Sequence, residues 1–349
     1  MRGRILVVGA GFSGSTVARI LADAGHRVRI IDRRPHLAGN AHDFTNHLGI
    51  RVHSYGPHIF HTSDQDVVAF LSRFTRWLPY RHRVRALLSD GCHVVMPPNR
   101  ETARILGADR IIDMLYRPYS RKMWGMELEE LDPDILRRVV AREDDNEDYF
   151  PGDSFQAMPA DGYTALIARM LDHPGIETQL GREFSRMMEH DFTHVFNSMA
   201  IDEYFSQCHG DLPYRSIRFQ THDLPCQRIN PVATLNYSHS GPCTRVTEWK
   251  AFPGHGDHPA ATTLTFETPC DYRDNGFERY YPVKDRDGHN RALYRRYAAM
   301  VPPGMTFIGR CGLYVYLDMH QAVASARAVA LRHLAGQGTA DPAPAMQFS

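Results

Sequence analysis

The stretch Arg4-Ile5-Leu6-Val7-Val8-Gly9-Ala10-Gly11-Phe12-Ser13-Gly14 reads as a buried strand running into a tight turn and the start of a helix. Ile5 to Val8 are uniformly apolar, as in a parallel-sheet strand covered on both faces. Gly9, Gly11 and Gly14 have the G-x-G-x-x-G spacing, and Val17, Ala18, Ile20, Leu21 and Ala24 recur at helical intervals up to a stop at Gly25. A second strand, Arg27 to Ile31, ends in Asp32, eighteen positions beyond Gly14. This is the full dinucleotide-binding fingerprint. The glycines permit a tight turn, close approach of a pyrophosphate and close helix packing; the helix N-terminus presents amides to anionic oxygens, and the acid takes ribose hydroxyls. An acid at 32 favours an unphosphorylated ribose, hence NAD or FAD. Arg33 and Arg34 either meet a 2′-phosphate or are solvated.

Around this unit the 349-residue chain is long enough for two or three substructures. Hydrophobic residues at 43% and charged residues at 23% give an ordinary globular balance, which argues against long disorder. Forty basic residues cancel forty acidic ones, so no nucleic acid partner is expected and any anion must be bound locally. The six cysteines include no CxxC pair, which disfavours a zinc knuckle and points to reduced thiols. The first strand begins too early for a signal peptide and no apolar run reaches spanning length, so we expect a cytoplasmic protein without membrane association.

The segment from about Arg100 to Arg142 reads as helical, with Ile105, Ile111, Ile112, Met114 and Leu115 apolar and a second helix starting after Leu131-Asp132-Pro133. From Tyr214 to Val283, β-prone runs such as Ala261 to Phe266 alternate with Pro, Gly and Asn, which predicts antiparallel sheet. Met305 to Ile308 is a strand candidate and Met319 to Leu334 an Ala-rich helix. The expected fold class is α/β: a Rossmann-like dinucleotide-binding domain with an inserted helical subdomain and an antiparallel β-sheet subdomain. We assign 1–78, 163–212 and 290–335 to the first, 98–148 to the second, 79–97, 149–162 and 213–289 to the third, and 336–349 to a frayed tail.

Beyond Asp32, the run Arg33-Arg34-Pro35-His36-Leu37-Ala38-Gly39-Asn40-Ala41 and the string Tyr55-Gly56-Pro57-His58-Ile59-Phe60-His61-Thr62 resemble the UDP-galactopyranose mutase family. Tyr119-Ser120-Arg121-Lys122-Met123-Trp124-Gly125, Arg137-Arg138, Tyr149-Phe150, Asn236-Tyr237, Thr244 to Lys250, Tyr280-Tyr281-Pro282-Val283 and Gly309-Arg310 through Tyr316-Leu317-Asp318-Met319 continue the likeness over nearly the whole chain. The resemblance implies a homodimeric FAD protein, active in the reduced form. It would be an isomerase that interconverts the pyranose and furanose forms of a nucleoside-diphosphate hexose, with flavin N5 as covalent nucleophile at the anomeric carbon. It implies a catalytic role for His58, His61, Arg138, Arg245 and Arg310. Substrate contacts would come from Tyr119, Trp124, Arg138, Tyr149, Asn236, Arg245, Tyr280, Tyr281, Arg310 and Tyr316. FAD contacts would come from Gly9, Gly11, Phe12, Ser13, Gly14, Asp32, Arg33, Gly39, Asn40, His58, Ile59, Arg310, Asp318 and Met319. Cations and hydroxyl donors in this number suit a departing diphosphate. His58-x-x-His61 has no third metal ligand at a recognisable spacing, so no metal is expected.

Several family positions differ. Ala38 stands where the pattern has glycine, and Asn197-Ser198-Met199-Ala200 replaces a Thr-Gly-Pro-like run near the flavin. Val315, Leu115 and Met96-Pro97-Pro98-Asn99-Arg100 change the nucleotide half of the pocket. The substrate is therefore of the UDP-galactose type or a GDP-linked hexose or 6-deoxyhexose. A flavin-dependent oxidoreductase and a mutase-like protein without flavin are the competing readings.

Overall fold

The computed structural model describes residues 3–131 and 142–336. Strand β1 (Arg4–Val8), helix α1 (Phe12–Asp23) and strand β2 (Arg27–Asp32) form the expected opening unit. The Gly25 and His26 amides donate to the Ala22 and Leu21 carbonyls, and Gly25 has φ 88°, so the left-handed glycine closes α1 as the sequence suggests. β1 is the centre of a five-stranded parallel sheet, in the order Ile176–Leu180, β2, β1, His194–Asn197, Met305–Phe307. On one face α1 packs against the closing helix, Met319–Leu334, and against Tyr163–Leu171. Val17, Ala18, Leu21, Val323, Ala326 and Val329 meet there in one apolar core. Each fully buried Val or Leu side chain among them contributes about 1.5–3 kcal/mol.

The second sheet has seven strands, in the order Tyr281–Pro282, Tyr214–Leu224, Thr262–Asp271, Arg245–Glu248, Thr234–Tyr237, Val84–Leu87, His93–Met96. It is antiparallel except where Thr234–Tyr237 runs parallel to Val84–Leu87. Those two strands come from separate excursions of the chain, so no hairpin turn imposes the antiparallel sense. Phe155–Pro159 pairs instead with Phe60–Thr62 and Trp77–Pro79 in a small three-stranded sheet.

The helical stretch is not continuous. Arg100–Leu106 ends at Gly107, which has φ 85°, and the chain then passes through a wide turn at Ile112–Tyr116 into Arg117–Trp124. Ile111 and Leu115 are buried with Leu106; Ile105 lies off the buried face formed by Thr102 and Leu106, and beyond the break Ile112 faces solvent. The helix start expected at Asp132-Pro133, Arg137-Arg138 and the tail after Gly336 lie outside the described residues. No helix among the described residues is long and apolar enough to cross a membrane. All six cysteines are unpaired thiols.

Candidate active site

A cavity of about 340 Å³ opens at the carboxyl ends of β1 and β2, where a doubly wound sheet places its ligands. Gly9, Gly11, Phe12, Ser13, Gly14, Asp32, Arg33, Gly39, Asn40, His58, Arg310 and Met319 line it. Gly9 and Gly14 are required by space, whereas a β-carbon on Gly11 would meet nothing closer than 3.7 Å. A β-carbon on Gly14 would fall 1.9 Å from the Gly9 carbonyl oxygen, and one on Gly9 would fall 2.0 Å from Ser198 Oγ. Gly11 caps α1 without a side-chain hydrogen bond, and the first turn carries no acid, so its amides remain available to an anion.

Asp32 does more than wait for a ribose. Its two carboxylate oxygens accept from the Ala10 amide at 2.8 Å and the Arg34 amide at 2.9 Å, which fixes the glycine turn against the end of β2. Arg34 pairs with Glu278 and lies over the Tyr55 ring, and Arg33 lies within 3.8 Å of both Glu203 and Glu278. Both cations are thus matched by carboxylates, which disfavours a 2′-phosphate.

Ala38 lines the cavity, is 1% exposed and has φ 70°. This is left-handed backbone, which costs an L-residue roughly 1–2 kcal/mol and a glycine little. Ser198 anchors the other changed loop through its amide and hydroxyl, both donating to the Val8 carbonyl, while the buried Asn197 Nδ2 has no partner among the described residues.

The two histidines part company. His58 donates from Nδ1 to the Gly56 carbonyl, which leaves Nε2 as the acceptor, and burial pushes its pKa down to about 4, so it is neutral at pH 7. His61 is not on the cavity wall; its Nδ1 meets Asp153 Oδ2 at 2.6 Å and its ring stacks on Phe150 at 3.5 Å. Ile59 does not line the cavity either: its side chain is turned into the hydrophobic core. Asp318 caps the closing helix through a reciprocal bond set with Gln321, and its neighbours Leu317 and Met319 line the cavity.

Beyond Arg310 the site continues as an aromatic, cationic cluster. Arg310 lies over the rings of Tyr280, Tyr281 and Tyr316 and donates to the carbonyls of Tyr280 and Leu317. Tyr281 stacks with Tyr316 and meets Trp124 edge-on. The Tyr280 hydroxyl is committed to the Tyr55 carbonyl at 2.5 Å, so only its ring faces Arg310. Asn236, Arg245 and Glu267 stand opposite one another on three neighbouring strands of the large sheet and therefore share one face.

The Arg245 side chain makes no hydrogen bond among the described residues. Its guanidinium is 3.8 Å from Glu267 Oε1, and Arg245 Nε, Glu267 Oε1 and Asn236 Oδ1 are all buried without partners. Burial opposes the charge on Arg245, but Glu267 and the nearby Tyr119, Tyr149 and Tyr281 more than offset it, so its pKa is raised and it stays cationic. The result is a partly buried cation, a quarter exposed, with an uncommitted Nε donor. Arg138 lies outside the described residues.

Sequence reasoning missed Glu267, Asp153, His53 and His320. Glu267 carried a usable signal, an acid inside the β-prone run Thr262–Asp271. The others gain their partners only through folding.

The fold and the glycine turn define a dinucleotide-binding enzyme: the NAD(P)-binding Rossmann-like domain profile matches residues 7–74. The UDP-galactopyranose mutase profile matches residues 114–316. The chain is 33% identical to a "Probable UDP-galactopyranose mutase" of Klebsiella pneumoniae, covering 92% of each, and 32% identical to a dTDP-fucopyranose mutase of Escherichia coli, covering 93% of this chain and 96% of that one. A crystal structure of reduced UDP-galactopyranose mutase superposes with a TM-score of 0.74 at 14% identity, over 97% of this chain and 96% of that chain. The protein belongs to the UDP-galactopyranose mutase family and is an isomerase.

Proposed function

We propose that the protein interconverts the pyranose and furanose forms of a nucleoside-diphosphate hexose, with FAD in the Rossmann cavity. The observation that carries this is the pair Arg310, on the cavity wall, and Arg245, near the cavity-lining His58, both set among tyrosines, the second with an uncommitted Nε donor. An oxidase has no diphosphate to hold in such a place.

The cavity suits FAD: Gly9 and Gly14 have no room for a side chain, the first turn of α1 is uncapped, and Asp32 stands at the end of β2. When bound and reduced, the flavin supplies the nucleophile for the anomeric carbon. The protein's own residues do the rest. Arg245 and Arg310 bind the diphosphate and stabilise its growing charge as it departs, where fixed donors in a dry site act most strongly. Tyr149, Tyr281 and Tyr316 offer hydroxyls to the same oxygens, Tyr119 and Trp124 enclose base and sugar, and Asn236 Oδ1 offers a buried acceptor. Neutral His58 presents Nε2 without adding a charge beside the flavin.

The substrate is of the UDP-galactose type or a GDP-linked hexose or 6-deoxyhexose; the likeness to a dTDP-fucopyranose mutase supports the 6-deoxyhexose option. Assembly as a homodimer is part of the reading and is checked by light scattering. The deciding experiment incubates dithionite-reduced protein with UDP-, dTDP- and GDP-hexoses and resolves the products. Furanose from at least one substrate is expected; none from any, with flavin bound, would overturn the reading.

A further inference from the structure

The sequence pairs His61 with His58, but the fold pairs it with residues from the far end of the chain. One ligand atom each from His61, Asp318 and His320 lies within 4.8 Å of the other two. Phe60–Thr62 carries the first, and the start of the closing helix carries the others. The His61 and His320 rings meet edge to face with centroids 5.3 Å apart.

Three further features distinguish this group from a chance meeting of polar side chains. Asp153 Oδ2 accepts the His61 Nδ1 proton at 2.6 Å, which fixes the ring plane and, in the neutral imidazole, makes Nε2 the lone-pair nitrogen. A carboxylate behind an imidazole is the usual support of a metal-bound histidine. Phe150 stacks on the same ring at an interplanar angle of 9°, limiting its rotation. His320 Nδ1 is buried without a hydrogen-bond partner among the described residues. Asp318 uses its carboxylate to cap the helix, and a carboxylate has lone pairs enough for a second role.

We propose that His61, Asp318 and His320 form a binding site for a divalent transition-metal ion of the zinc class, with Asp153 as the group that orients His61. Two imidazoles and one carboxylate suit zinc, cobalt or nickel; magnesium and calcium call for oxygen ligands. A tetrahedral ion at ~2.1 Å from each ligand draws the atoms to ~3.4 Å apart, a closure that small side-chain rotations supply. Three protein ligands leave a position for water or an oxygen of a bound ligand. An occupied site ties the small sheet to the first turn of the closing helix, beside the cofactor cavity. None of this depends on the mutase reading, because the test reads metal binding and not turnover.

The FAD-loaded full-length protein is stripped with EDTA and titrated with zinc chloride by calorimetry. One equivalent is expected to bind with a micromolar or tighter Kd and to raise Tm. His320→Ala is expected to weaken binding at least 100-fold. Asp318→Asn, which keeps a capping side chain and removes the charged ligand, is expected to weaken it at least tenfold, and Asp153→Asn about 10–100-fold. His47→Ala, at an exposed histidine, is expected to bind as the wild type does. Cobalt in place of zinc reports the geometry through its visible absorption. No saturable binding by the wild type, or equal binding by all variants as adventitious surface zinc would give, overturns the proposal. Should His320→Ala fail to fold, unchanged binding by Asp318→Asn overturns it equally.

Discussion

His53 Nε2 and His255 Nε2 face each other at 3.1 Å in the interior, and only one pair of tautomers satisfies their neighbours. The His58 amide donates to His53 Nδ1 at 3.1 Å, so the His53 proton sits on Nε2 and passes to His255 Nε2 as a hydrogen bond. His255 then carries its own proton on Nδ1, which donates to the Pro253 carbonyl at 3.1 Å. Two neutral imidazoles thus tie the cavity-lining His58 loop to the loop at residue 253. A proton added to either ring breaks the chain.

This dictates the acid side of the stability profile. Burial pushes the pKa of His255 and His194 down to about 4 and that of His82 to about 3, from an ordinary 6.5. In the unfolded chain these groups bind protons more readily than in the fold. The stability they hold is complete above pH 6.5 and is lost as pH falls toward 4, roughly 1–3 kcal/mol for each. Urea midpoints at pH 7, 5.5 and 4.5 should fall in that order, and His255→Gln should flatten the slope. A midpoint constant from pH 7 to 5 would contradict the assignment.

Ala38→Gly should tighten FAD binding. It removes a β-carbon from the cavity wall and relieves a φ of 70°, while added glycine entropy offsets part of the gain, leaving Tm within about 3 °C of the wild type or above it. Ala38→Val should lower Tm and weaken FAD, since a β-branched residue tolerates left-handed backbone poorly. FAD titration by fluorescence quenching checks both; equal affinities across the three proteins would show that position 38 does not bear on the cofactor.

Gly14→Ala places a β-carbon 1.9 Å from the Gly9 carbonyl oxygen, a backbone atom that cannot swing away. The helix must move off the turn, at about 1–3 kcal/mol or more, and the cofactor amides move with it. The purified variant should be free of flavin absorbance and melt several degrees early. Full flavin content would mean the turn is more pliable than its contacts indicate.

Arg245→Lys keeps a cation but loses the fork, and kcat should fall about tenfold to a hundredfold; Arg245→Ala should lose about 10²–10³-fold or more. Arg245→Ala also leaves Glu267, 3% exposed, without its cation, a loss of about 3–5 kcal/mol in stability. Arg245→Ala combined with Glu267→Gln should recover much of that stability and none of the rate. Steady-state turnover beside thermal melts separates the two effects, and a double variant as active as the wild type would remove Arg245 from the chemistry.

The opening unit was legible because every relation in it is local. Gly9, Gly11, Gly14 and Asp32 act within one strand, turn, helix and strand, where residue spacing translates directly into geometry. The helical region was less legible: Gly107 and the wide turn after it interrupt the helix and leave Ile112 facing solvent, and no residue count reveals that the stripe changes phase.

By itself, then, the sequence determined the dinucleotide turn, the closing strand and helix, and the supply of arginines, tyrosines and histidines for the site. Tertiary structure alone decided how they are used. It set Asn236, Arg245 and Glu267 abreast, committed the Tyr280 hydroxyl to Tyr55, separated His61 from His58, and joined His53 to His255. Those relations depend on strand register and on packing between segments distant in the chain. A shift of one residue in register would turn each side chain to the opposite face, and nothing in local spacing encodes that choice.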